Sequence, residues 1–118
     1  MASERIILDI YVNNEFLTET AGDGILISTP TGSTAYALSA GGPIVQNGVN
    51  SILIVPIAPN SLSFRPICFP SSCVITVKLS KKSRSEGYIS FDGQINEHFK
   101  YKNEIKIQAT QSDLICKF

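Results

Sequence analysis

Residues Cys73 to Ser80 read CVITVKLS, and the alternation in that octet decides the fold class. Cys73, Ile75, Val77 and Leu79 fall on one parity and Val74, Thr76, Lys78 and Ser80 on the other, so an extended chain turns one set to a core and the other to solvent. That is a half-buried β-strand. The rhythm continues downstream in Tyr88 to Phe91, Ile95 to Lys100, Glu104 to Thr110 and Ser112 to Phe118, separated by Asp92-Gly93-Gln94, Tyr101-Lys102-Asn103 and Gln111.

Upstream, Arg5 to Val12 (RIILDIYV) stops at the turn pair Asn13-Asn14, and Glu15 to Thr20 returns as its hairpin partner. Ser51 to Ile57 is apolar almost throughout, the pattern of a strand buried on both faces. Pro59 to Pro66 reads as a loop with Phe64 and Arg65 as its large side chains. No long amphipathic period interrupts these runs, and the links are too short for parallel crossovers. The expectation is an all-β chain, an antiparallel two-sheet sandwich.

The chain has 118 residues, 43% hydrophobic and 17% charged, enough for one compact domain with a real core over residues 1–118. Ten basic and ten acidic side chains cancel, which leaves no field to attract nucleic acid. The longest apolar run, Ile52 to Ala58, is broken by Pro56 and is too short to span a bilayer, and no leader opens the chain. No membrane partner and a cytoplasmic location are therefore expected. Cys68, Cys73 and Cys116 with the single His98 make no zinc set, so reduced core or strand cysteines and a surface histidine are expected. Ser80 to Gly87 (SKKSRSEG) reads as a solvated tip.

The segment Ala21 to Val45 breaks the strand rhythm. Asp23-Gly24 is a turn pair, Ile25 to Ile27 a short buried strand, and Ser28 to Thr34 (STPTGST) a loop with five hydroxyl side chains. Ala35 to Ala40 then reads as a short helix that Gly41-Gly42-Pro43 stops. A helix start offers unpaired N–H groups, which suits an anionic or acceptor-rich ligand. Ser33 or Thr34 acting only as a helix cap is the other reading.

Gly22-Asp23-Gly24, Ser28 to Tyr36 (STPTGSTAY), Gly41-Gly42-Pro43, Pro59 to Pro66 (PNSLSFRP) and Ser90 to Gly93 (SFDG) together resemble the NAD kinase family in its eukaryotic form. The resemblance implies the family's two-sheet C-terminal domain and an enzyme that phosphorylates the adenosine ribose 2′-hydroxyl of NAD with ATP and Mg2+ to make NADP. It also implies a preceding α/β domain carrying a GGDG motif, which does not occur in these residues, and an Asn-Glu pair ahead of the first strand, where none stands here. The chain is thus expected to be inactive alone, with no catalytic residue and no metal ligand of its own.

By that resemblance, Asp23, Thr31, Thr34, Ala35, Tyr36, Ser39 and Asp92 contact the dinucleotide, and Phe64 and Arg65 lie in the site or at a subunit interface. Gly93 stands where bacterial relatives often have histidine. The implied partners are NAD and NADP, the enzyme's own N-terminal kinase domain, and further copies in a dimer or tetramer. Two alternatives stand beside this reading: the corresponding domain of a diacylglycerol or sphingosine kinase, and a dinucleotide-binding module without chemistry.

Overall fold

The computed structural model describes residues 5–29, 51–57, 65–91, 94–109 and 114–117. Strands β1 (Ile6–Val12) and β2 (Glu15–Gly22) form the expected hairpin. Its turn residues both take left-handed backbone, with φ 50° at Asn13 and 67° at Asn14. That two-residue geometry matches the twist of paired strands, and asparagine tolerates it better than most side chains. The ladder slips at Ile10/Tyr11: Ile10 faces Thr18 and Tyr11 faces Phe16, which leaves Leu17 as the extra residue of a bulge.

Next come β3 (Gly24–Ser28), β4 (Ser51–Ile57), β5 (Ile67–Pro70), β6 (Ile75–Leu79), β7 (Gly87–Phe91), β8 (Gln94–Phe99), β9 (Glu104–Ala109) and β10 (Leu114–Lys117). The order is β10-β9-β6-β1-β2 in a five-stranded sheet and β3-β4-β5 in a three-stranded one, and β7 and β8 make a two-stranded ribbon. Every ladder is antiparallel. The all-β antiparallel expectation is met by the two larger sheets, with the ribbon added to them. The short helix expected after the STPTGSTAY loop lies outside the described residues.

The two larger sheets face each other across one apolar layer. Leu8 and Ile10 of β1, Ile75, Val77 and Leu79 of β6, and Ile105 and Ile107 of β9 pack against Ile52 and Ile54 of β4. Ile25, Ile27 and Phe69 extend the layer from β3 and β5, and the ribbon adds Phe99 and Ile89. Each fully buried side chain of this size contributes about 1.5–3 kcal/mol of hydrophobic free energy. Leu53 and Val55 point the other way and form a second cluster with Leu26, so β4 is buried on both faces as its sequence predicts.

The outer face of β6 departs from the simple alternation. Thr76 and Ser80 are buried although they sit on the polar parity. Thr76 is flanked in register by Tyr11 and Lys106, and the Lys78 ammonium lies 4.7 Å above the Tyr11 ring. Ser80 is covered by the following loop, where its N–H donates to the Ile7 carbonyl at 2.9 Å and its hydroxyl accepts from Lys82 N–H at 3.1 Å.

The same loop meets the solvated-tip reading of Ser80 to Gly87 at Lys81, Lys82, Arg84 and Glu86, which are exposed, while its serines are tied back to the sheet. Ser83 Oγ accepts from Ile7 N–H at 3.1 Å and donates to the Ser85 carbonyl at 2.7 Å, while Lys82 pairs with Glu19 at 3.6 Å. Local hydroxyls tie the loop to β1, and Lys81 and Arg84 remain exposed. The cysteines are free, as expected of reduced core or strand residues: Cys68 and Cys116 are exposed residues of strands and Cys73 is partly buried at the core margin.

Candidate functional site

The corner between β2 and β3 is built by backbone demands. Gly22 is buried at the end of the β1 ladder, opposite Ile6, and Gly24 takes φ +151°, a region that side chains rarely enter. A Cβ at Gly24 would meet nothing within 4 Å, so torsion rather than space requires glycine there. Between them, Asp23 N–H donates to the Ile57 carbonyl at 3.0 Å, which fixes this corner against the end of β4. The Asp23 carboxylate is half exposed, and its Oδ1 stands 4.0 Å from Arg5 Nη1.

The hydroxyl-rich segment begins at the opposite end of β3. Ser28 faces Leu53 across the ladder, and Ser51 lies two residues further along β4 on the same face. Among the described residues, the hydroxyls of Ser28 and Ser51 are buried without a hydrogen-bond partner, as is that of Thr76. Buried hydroxyls are rarely left so, and the two serines flank Leu53, a member of the apolar cluster with Val55 and Leu26. Thr31, Thr34, Ala35, Tyr36 and Ser39 lie outside the described residues, as do Phe64 and Asp92. Arg65 is exposed just before β5.

The ribbon places a cluster that sequence reading missed. Tyr88 and His98 are cross-strand partners, their rings stack at 5.0 Å with 19° between planes, and His98 Nε2 lies 3.2 Å from Glu86 Oε1. His98 is exposed, as expected, but it is not isolated: it touches both the Tyr88 ring and the Glu86 carboxylate. The ladder slips between Ile89 and Ser90, just ahead of the SFDG stretch.

On the outer face of the five-stranded sheet, Asp9 and Glu19 are directly opposed. Burial pushes the Asp9 carboxyl above its ordinary value, and the Glu19 charge and a shared hydrogen bond push it the same way against the pull of Lys82 and Lys78. Ser80 Oγ donates to Glu19 Oε2 at 3.5 Å. Among the described residues, no group of three or more His, Cys, Asp or Glu side chains is placed to hold a metal ion. Among them, too, no helix is long and apolar enough to cross a membrane.

Residues 2–115 match the family described as the ATP-NAD kinase C-terminal domain. A mitochondrial NADH kinase, pos5, of Schizosaccharomyces pombe is 54% identical over 94 residues, which is 80% of this chain and 24% of that protein. The crystal structure of yeast NADH kinase complexed with NADH superposes with a TM-score of 0.82 and 40% identity, over 99% of this chain and 31% of that one. An NAD kinase from Archaeoglobus fulgidus in complex with ATP superposes with a TM-score of 0.77 and 26% identity, over 96% of this chain and 43% of that one. The chain therefore spans less than half the length of each of these relatives.

Proposed function

The chain belongs to the ATP-NAD kinase family as its C-terminal domain, and from that premise we propose that it forms the NAD-binding and self-associating part of an enzyme that makes NADP from NAD and ATP. The observation that carries this reading is the superposition of nearly the whole chain on the NADH-bound yeast kinase. The relatives reported above are NAD and NADH kinases, so the lipid-kinase alternative gains no support from them.

In the reaction, the ribose 2′-oxygen forms a bond to the γ-phosphorus of ATP while the bond to the β-phosphate oxygen breaks, and ADP leaves. Such a transfer asks the protein chiefly for positioning and charge stabilisation. This chain supplies positioning. Thr31, Thr34 and Ser39 offer hydroxyls to the dinucleotide, Ala35 allows close backbone approach, and Tyr36 offers a ring face. Asp23 accepts from an N–H of the adenine amine or the nicotinamide carboxamide.

Asp92 takes a supporting place near ribose and phosphates, since a bare carboxylate beside phosphate is repelled. Arg65 and Phe64 serve the site or the contact between subunits. ATP with Mg2+ and the proton acceptor for the 2′-hydroxyl belong to the remainder of the enzyme, so this chain alone makes no NADP. Assembly as a dimer or tetramer and a cytoplasmic location are parts of the same reading.

Calorimetric titration of NAD and NADP into the chain, with Thr34→Ala and Ser39→Ala beside it, tests the proposal. Saturable binding that either variant weakens supports a dinucleotide site in this domain. Absence of binding, or binding that neither variant changes, removes the site from these residues, and NADP formed by the pure chain would refute its inactivity.

A further inference from the structure

We propose that Arg5 is a positioning residue for the Asp23 carboxylate, an inference that rests on the dinucleotide-binding reading above. The backbone of Asp23 is fixed by its hydrogen bond to the Ile57 carbonyl at 3.0 Å and by the φ of +151° at Gly24. Its side chain has no such constraint. The carboxylate is 51% exposed, and among the described residues its charged partner is the Arg5 guanidinium at 4.0 Å.

That separation is too long for a hydrogen bond and short enough for an ion pair. The guanidinium thus draws the carboxylate toward the β1 side of the corner without occupying its acceptor lone pairs. Those lone pairs stay open to N–H donors of a ligand. The hairpin register delivers the arginine to this place: Ile6 faces Gly22, so Arg5 is the next residue across from Asp23.

A structural role explains the pair poorly. Both side chains are about half exposed, and ion pairs of that kind contribute little to folding. Asp23 is already held by its backbone, so the pair adds nothing to the corner's course. What it does constrain is the direction of a carboxylate proposed to meet the ligand.

The test is a double-mutant cycle read by calorimetric NAD affinity and by urea midpoint, on the full 118-residue chain. Arg5→Gln is expected to weaken NAD binding about threefold to fivefold with little change in midpoint, and Arg5→Lys to recover part of the loss. In an Asp23→Asn background, Arg5→Gln is expected to have no further effect. Two results overturn the inference: unchanged affinity in Arg5→Gln while Asp23→Asn binds weakly, or an equal loss from Arg5→Gln in both backgrounds, which would put the arginine on the ligand itself. A wild-type chain that does not bind NAD would instead bring down the dinucleotide reading, and this inference with it.

Discussion

Asn13 and Val74 are joined by two hydrogen bonds of 2.9 Å, one from the Asn13 backbone N–H to the Val74 carbonyl and one from Val74 N–H to Asn13 Oδ1. One residue is therefore both the left-handed turn of the hairpin and the clamp on the entry to β6. Asn13→Ala removes the side-chain acceptor and the residue type that tolerates φ 50°. We expect a loss of about 1–2 kcal/mol in urea unfolding, and a smaller one for Asn13→Asp, which keeps the acceptor. An unchanged midpoint in the alanine variant would show that the backbone bond suffices.

Two glycines are expected to respond unequally to alanine, and for different reasons. At Gly24 there is open space but a φ of +151°, so Gly24→Ala should lose about 1–3 kcal/mol through torsion alone. At Gly87 the added Cβ runs into Ile6 Cδ1, the far end of a flexible side chain, so Gly87→Ala should lose less than about 1 kcal/mol, and Ile6→Val should restore it. Thermal melts of the three variants decide the order, and a reversed order contradicts the geometry.

The Asp9–Glu19 pair makes stability depend on pH in a stated direction. The folded-state value of Asp9 is raised from 3.8, so between those two values the folded chain binds more protons than the unfolded one. Stability from this group therefore falls as pH rises through the window and returns on acidification. Asp9→Asn should remove that component and leave the chain more stable than wild type above the window. The difference between the two urea midpoints, measured from acid to neutral pH, should grow with pH; a difference that shrinks or favours wild type contradicts the assignment.

Ile54 is fully buried between the two sheets, where it contacts the shared apolar layer and pairs in register with Ile27 and Ile67. Ile54→Ala should lose about 2–5 kcal/mol, the range for a deleted core side chain that leaves a cavity. Phe16→Ala, at the exposed start of β2, should lose far less although its side chain is larger. Equal losses would mean that Phe16 is covered in solution.

The sequence predicts the strands whose signal is their own. Ile75, Val77 and Leu79 alternate because one face of β6 meets the core, and β4 is apolar on both parities because both its faces are covered. β5 escaped notice because the four residues Ile67–Pro70, directly after Pro66, carry no period; it is a strand by virtue of Ile52 pairing with Phe69 and Leu53 with Cys68. Local motifs point to Asp23. Arg5 beside it, and Glu86 beside His98, depend on register and chain path, and no local pattern contains those. The burial of Thr76 depends in the same way on which residues flank it across two ladders.

The sheet order β10-β9-β6-β1-β2 has a consequence for how the chain is made. β1 lies between its hairpin partner and β6, and the bond from Val74 to Asn13 spans 61 positions. On a ribosome, the hairpin emerges with the β6 side of β1 unpaired and Leu8 and Ile10 uncovered, and it stays so until residues as far as Leu79 have followed. Closing so long a loop comes before any gain from the pairing, which places this domain among the slower folders of its size. During that interval the nascent hairpin is the segment most in need of protection from other chains.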